Sequence, residues 1–190
     1  MQSKESFPNH EQLPSPDELT DDIHRHIVST LGDEIHGRNK FRYFHGLAYS
    51  IRDRLIRSWL NTQREYYDSM VKRVYYLSLE FLPGRFLMNY LTSLGMEQRC
   101  REALEKIGLS LEDLEEVEWD AGLGNGGLGR LASCYLDSMA SLRIPGYGYG
   151  ILYDYGIFHQ HIANGRQEER CDNWRRQLSQ RSSWRPLAIC

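Results

Sequence analysis

The sequence is short of the features that would assign it quickly. Its longest uncharged runs, 86–96 and 155–165, are eleven residues each. A bilayer-spanning helix needs about twenty apolar residues, so none is expected. The four cysteines, at 100, 134, 171 and 190, form no Cys-x-x-Cys pair, which removes a zinc knuckle and a disulfide-dense scaffold. There is no basic excess either: 23 Lys+Arg stand against 26 Asp+Glu, for a net charge of −3. Non-specific nucleic-acid binding therefore lacks its electrostatic footprint. The opening MQSKESFPNHEQLPSP contains no apolar core of a signal peptide. What is left, at 190 residues and 41% hydrophobic, is a cytoplasmic α/β protein with one ordinary core, or a portion of a larger one.

Proline is scarce, and three of the six prolines fall at 8, 14 and 16. Residues 1–19 accordingly read as a polar mobile tail. Thr20, followed by Asp21 and Asp22, reads as a helix N-cap, with Ile23, Ile27 and Leu31 on one face. A longer helix repeats Phe44, Ala48, Ile51, Leu55 and Trp59, and carries Arg52, Arg54, Arg57 and Arg64 on its solvated side. The compact run from Val74 to Leu82, stopped by Pro83-Gly84, predicts a buried strand with Glu80 near its C-terminal end. Helices are expected around 86–94 and 97–107, with another from Ser110, spaced to cap Asp113. Strands are expected over 147–153 and 157–162, and Asn164-Gly165 is a turn signal. His159 and His161 share a strand face, but no third metal ligand accompanies them, so they read as surface histidines.

Eight of the sixteen glycines lie within 122–150. Their core is DAGLGNGGLGR (120–130), followed by a helix pattern with Leu128, Leu131, Tyr135, Leu136 and Met139 along one stripe. Glycines running into a helix N-terminus expose unpaired amides beside the positive end of the dipole, which suits an oxyanion. The alternative is that these glycines only let the helix pack closely. Two Gly-x-Gly-x-x-Gly matches occur, at 122/124/127 and 124/126/129, but the preceding segment 111–120 is acidic and helix-like rather than an apolar strand. Gly129-Arg130-Leu131 also lacks the Lys-Ser/Thr of a nucleoside-triphosphate loop.

DAGLGNGGLGRLASCYLDSMASL (120–142) resembles the glycine loop and following helix of the glycogen (α-glucan, maltodextrin) phosphorylases. YYLSLEFLPGR (75–85), YGYGILYDYGIFHQHI (147–162) and RSWLNTQREYYDSMVKR (57–73) are similar to further stretches of that family, so the resemblance covers roughly 20–174. It implies an incomplete N-terminal Rossmann-like domain of a two-domain GT-B enzyme. Such an enzyme uses pyridoxal 5'-phosphate and inorganic phosphate to release glucose 1-phosphate from the terminal α-1,4 bond of a glucan, as a homodimer. By position, the resemblance implies that Gly126 and Gly127 present amides to the substrate phosphate and that Leu128 lies against the glucosyl unit. Glu80, Asn125 and Arg130 are supporting candidates. Leu82 stands where many members have tyrosine near the cofactor. Asn61 and Arg64 depart from the effector positions of nucleotide-regulated members, although Trp59, Gln63 and Tyr67 fit.

Two features set limits on activity. After Asp172, residues 173–190 contain four arginines and no acidic residue, leaving −7 on the rest, so this end is expected to be a non-family tail of the kind a frameshift produces, with a genuine basic terminal segment as the alternative. Lysines number four, at 4, 40, 72 and 106, all away from the glycine loop, and the resemblance implies that the Schiff-base lysine belongs to the second domain. The chain is therefore expected to be an inactive N-terminal fragment. The alternatives are a non-catalytic phosphate- or glucan-binding module and, more weakly, a nicotinamide-dependent oxidoreductase.

Overall fold

The computed structural model describes residues 13–34, 37 and 39–175. The readings of residues 1–12 and 176–190 lie outside the described residues. The chain forms two units, a helical one ending at Met70 and resuming over Phe86–Glu118, and an α/β one from Val71–Arg85 and Trp119 onward.

The helical unit begins earlier than expected. Helix α1 spans Pro16–Arg25, capped by Ser15, whose Oγ accepts from the Glu18 amide while Glu18 reaches back to the Ser15 amide. Pro16 occupies the first turn, where a missing N–H costs nothing. Leu19 is fully buried, so the boundary expected at 19/20 moves to 15/16 and Thr20 lies inside the helix. A π-helical stretch, His26–Thr30, continues it. Helix α2 follows over Lys40–Asp68, capped by Asn39. Helices α3 (Leu87–Ser93), α4 (Glu97–Lys106) and α5 (Leu111–Glu115) complete the unit, α5 with the Ser110 cap on Asp113.

Its core joins Leu19, Ile23 and Ile27 to Leu47, Ile51, Leu91, Cys100, Leu104, Leu111 and Leu114. Gly46 lets α1 and α2 approach: a Cβ there would stand 2.9 Å from the Ile23 oxygen. One residue of the supposedly solvated basic face, Arg54, instead joins Asp22 at 2.8 Å and ties α2 to α1. Glu118 is buried and accepts the amides of Phe86 (2.7 Å) and Leu87 (3.0 Å), capping α3. Burial pushes the Cys100 thiol up to about 12.

Two histidines are expected to make this unit sensitive to acid. Burial holds His26 below its ordinary value of 6.5; Arg25 adds to the effect, and Asp53 and Asp22 oppose it. Burial likewise lowers His45, against its hydrogen bond to the Phe41 carbonyl. A histidine with a depressed folded-state pKa binds its proton more readily when unfolded. Its contribution is therefore complete above 6.5 and is lost as pH falls through the lowered value. Urea midpoints are expected to drop between about pH 7.5 and about pH 5, and a flat profile would contradict neutral burial of these rings.

In the α/β unit, β1 (Val74–Leu77) and β2 (Gly146–Tyr149) pair in parallel, with Tyr75 opposite Tyr147 and Leu77 opposite Tyr149. Helix α6 spans Gly127–Ser141. It covers one face of this pair, where a Cβ on Gly148 would come within 2.7 Å of Leu136. The other face carries Tyr75, Leu77 and Tyr149, all exposed. The expected buried strand is thus four residues long and open on one side, because within this unit a single neighbour and a single helix cover it. The apolar stripe of α6 also divides. Gly129 and Ala132 are buried, Leu136 and Met139 are half-buried, and Leu128, Leu131 and Tyr135 are exposed, although the Tyr135 ring still meets Tyr76 edge-on. Strands β3 (His159–Ala163) and β4 (Arg166–Arg170) form an antiparallel hairpin. Asn164 and Gly165 both take positive φ (51° and 72°), as a type I′ turn requires. Trp174 is buried and its Nε1–H donates to the Tyr153 carbonyl at 3.2 Å. Among the described residues no helix is long and apolar enough to cross a membrane.

Candidate functional site

The glycine loop sits on the segment just after β1. Beyond Ser78, whose amide still bonds to the Tyr149 carbonyl, the main chain leaves the sheet and pairs with the loop. The Phe81 amide donates to the Leu123 carbonyl at 2.9 Å, and the Leu82 amide to the Gly129 carbonyl at 3.0 Å. Arg130 Nη1 donates to the Pro83 carbonyl at 3.1 Å. This is why the apolar run 78–82 is not strand: its backbone groups are satisfied by the loop and by the first turn of α6. Glu80 lies at the centre. Its Oε2 accepts the Asn125 amide at 2.9 Å and its Oε1 the Gly129 amide at 3.2 Å.

The glycines of the loop divide into two kinds, and neither kind needs a left-handed backbone. Gly124 and Gly129 are packing glycines. A Cβ on Gly124 would stand 2.8 Å from the Phe81 carbonyl oxygen, and one on Gly129 would stand 3.1 Å from the Glu80 carboxyl carbon. Gly126 and Gly127 are different, since a Cβ on either meets nothing within 4 Å. Gly126 is extended (φ −149°), a conformation open to any residue. Close packing therefore accounts for the first pair and not for the second.

No acceptor among the described residues takes the amides of Gly126, Gly127 or Leu128. Three consecutive donors are thus presented at the positive end of a fifteen-residue helix, an arrangement that attracts negative charge. Leu128 follows directly and is 67% exposed, an apolar side chain held out beside those amides. Asn125 is exposed. Arg130 is engaged with the 82–83 carbonyls, so its guanidinium serves the segment after β1.

Other sequence candidates are not brought here. His159 and His161 share a face of β3 as expected, but His159 stacks on Trp119 (5.0 Å between centroids, 12° between planes). Among the described residues no group of three metal-ligating side chains exists. The segment before the loop is helix α5 and a turn, so the dinucleotide fingerprint lacks its preceding strand. Sequence reasoning did not separate the packing glycines from the open ones. That distinction depends on where Phe81 and Glu80 lie, and no local pattern encodes it.

Residues 104–186 match the family model described as carbohydrate phosphorylase, a match that runs beyond residue 172 into the segment expected to be foreign. Over 159 residues the chain is 52% identical to the liver form of glycogen phosphorylase from Homo sapiens and from Bos taurus, and 51% to the human brain form. Each match covers 84% of this chain but only 19% of the relative, so the chain spans about a fifth of the length of the relatives it matches.

Proposed function

We propose, for a chain that belongs to the carbohydrate phosphorylase family, that its glycine loop is the substrate-phosphate cradle of an α-glucan phosphorylase. The observation that carries this reading is the open space in front of Gly126 and Gly127, which neither packing nor backbone conformation explains. Their amides donate to inorganic phosphate, and the exposed Leu128 lies against the terminal glucosyl unit. The N-terminus of α6 stabilises the phosphate charge as it attacks the anomeric carbon, when the α-1,4 bond breaks and glucose 1-phosphate forms. In this reading the α/β unit is part of the first of two Rossmann-like domains of a GT-B enzyme, cytoplasmic and homodimeric when intact.

Pyridoxal 5'-phosphate, which the family resemblance implies, would supply a phosphate group for proton transfer when bound to such an enzyme. The lysines described here do not fit a Schiff-base role. Lys40 is held by Asp113 at 2.8 Å, which raises its pKa, Lys106 pairs with Asp17 at 2.5 Å, and Lys72 is exposed. None of these three lysines is therefore placed to carry the cofactor, and phosphorolysis by this chain alone is not expected. The same open amides support phosphate binding by this chain without turnover. Titration of the labelled chain with inorganic phosphate should move the amide resonances of Gly126, Gly127 and Leu128. Incubation with pyridoxal phosphate and borohydride should leave no lysine stoichiometrically labelled. Silence at those amides, or one fully labelled lysine, would overturn the respective claim.

A further inference from the structure

Glu80 approaches the glycine loop with both carboxylate oxygens already committed. One holds the Asn125 amide at 2.9 Å and the other the Gly129 amide at 3.2 Å, and these two amides bracket the open row at 126–128. We propose that Glu80 is a positioning residue that sets both ends of the row of amides offered to an anion. The proposal rests on the phosphate reading of this loop. An ionised carboxylate is an acceptor at both oxygens and can hold two separate donors at once. By occupying the amides on either side, it confines an incoming anion to three of the five. Its own position is over-determined. Ser78 Oγ donates to the main-chain oxygen of Glu80 at 2.6 Å. The next two amides, of Phe81 and Leu82, bond to Leu123 and Gly129. Gly129 leaves just enough room for the carboxyl group, since a Cβ there would come within 3.1 Å of it.

Glu80→Gln keeps one acceptor oxygen and replaces the other with an NH2 that cannot accept, so it releases one bracketing amide. Glu80→Ala releases both. The test is titration of the full chain with inorganic phosphate, followed at each backbone amide, together with hydrogen exchange in the absence of phosphate. In the unsubstituted chain the response is confined to Gly126, Gly127 and Leu128. In Glu80→Gln either Asn125 or Gly129 joins them, and in Glu80→Ala both do. Exchange at the freed amides should accelerate roughly tenfold or more, as loss of a charge-assisted hydrogen bond implies.

A carboxylate that merely supported the fold would weaken the response everywhere and add no new responder. That result, or an unchanged set of responders, overturns the proposal. Should Glu80→Ala lose its dispersed spectrum, Glu80→Gln carries the comparison, because it retains one bond. Should phosphate move no amide of the unsubstituted chain, the phosphate reading fails. The positioning role, which rests on that reading, falls with it, whereas phosphate responders that are the same in every variant overturn the positioning role alone.

Discussion

Gly124→Ala is expected to destabilise the α/β unit by about 2–3 kcal/mol, whereas Gly127→Ala, three residues on, leaves it unharmed or stabilises it by up to about 1 kcal/mol. The atoms that a new Cβ at 124 would meet are main-chain atoms of Phe81: its oxygen at 2.8 Å, its carbonyl carbon at 2.9 Å and its nitrogen at 3.1 Å. None can swing aside as a side-chain tip would. The Phe81 amide is already bonded to Leu123, so retreat of the loop also breaks that hydrogen bond. At 127 the added methyl meets open space inside the first helical turn, where alanine is the better helix former. Function should follow the opposite order. A methyl at 127 fills the approach to the open amides and removes the phosphate response of a fully folded chain. Urea unfolding and phosphate titration of the two variants separate these effects. Equal loss of stability in both would mean that the loop glycines share one packing role.

The same pair marks where the sequence was legible and where it was not. Local signals transferred well. The existence of α2, the Ser110 cap, the Asn164-Gly165 turn and the helix beginning in the glycine loop all depend on neighbours within a few residues. The face of α2 did not follow: Tyr43, Gly46, Leu47, Ser50 and Ile51 are buried, and of the expected repeat only Ile51 is, with Trp59 exposed. The start of α1 could have been found in the same way. Ser15 with Glu18 is a capping box and Pro16 a favoured first-turn residue, but three prolines in a polar stretch obscured both. Tertiary facts did not transfer. Val74–Leu82 has the composition of a buried strand, yet its second half pairs with the glycine loop and its first half lies open on one face. Glu80, interrupting an apolar run, required a partner but could not name it. Its partners are backbone amides forty-five and forty-nine residues away.

Leu104→Ala should cost about 3 kcal/mol or more, while Leu77→Ala should change stability by no more than about 0.5 kcal/mol. By composition the expectation is reversed. Leu77 lies in the most apolar, strand-like stretch of the chain, and Leu104 is set between glutamates in a helix of mixed charge. In the structure Leu104 is fully buried, within a cluster that gathers α1, α2, α3, α4 and α5. Truncation there removes apolar burial and leaves a cavity that helices on several sides cannot all collapse to fill. Leu77 is 77% exposed, so its side chain has little burial to lose. Urea titrations followed by far-ultraviolet circular dichroism report mainly helix and so read the Leu104 effect directly. Near-ultraviolet spectra of the stacked Tyr75 and Tyr147 rings, 5.6 Å apart, report on the strand pair beside Leu77. A large loss in Leu77→Ala would mean that the face carrying Tyr75, Leu77 and Tyr149 is covered in solution. Apolar burial would then stabilise the strand pair from both sides, as parallel strands usually require.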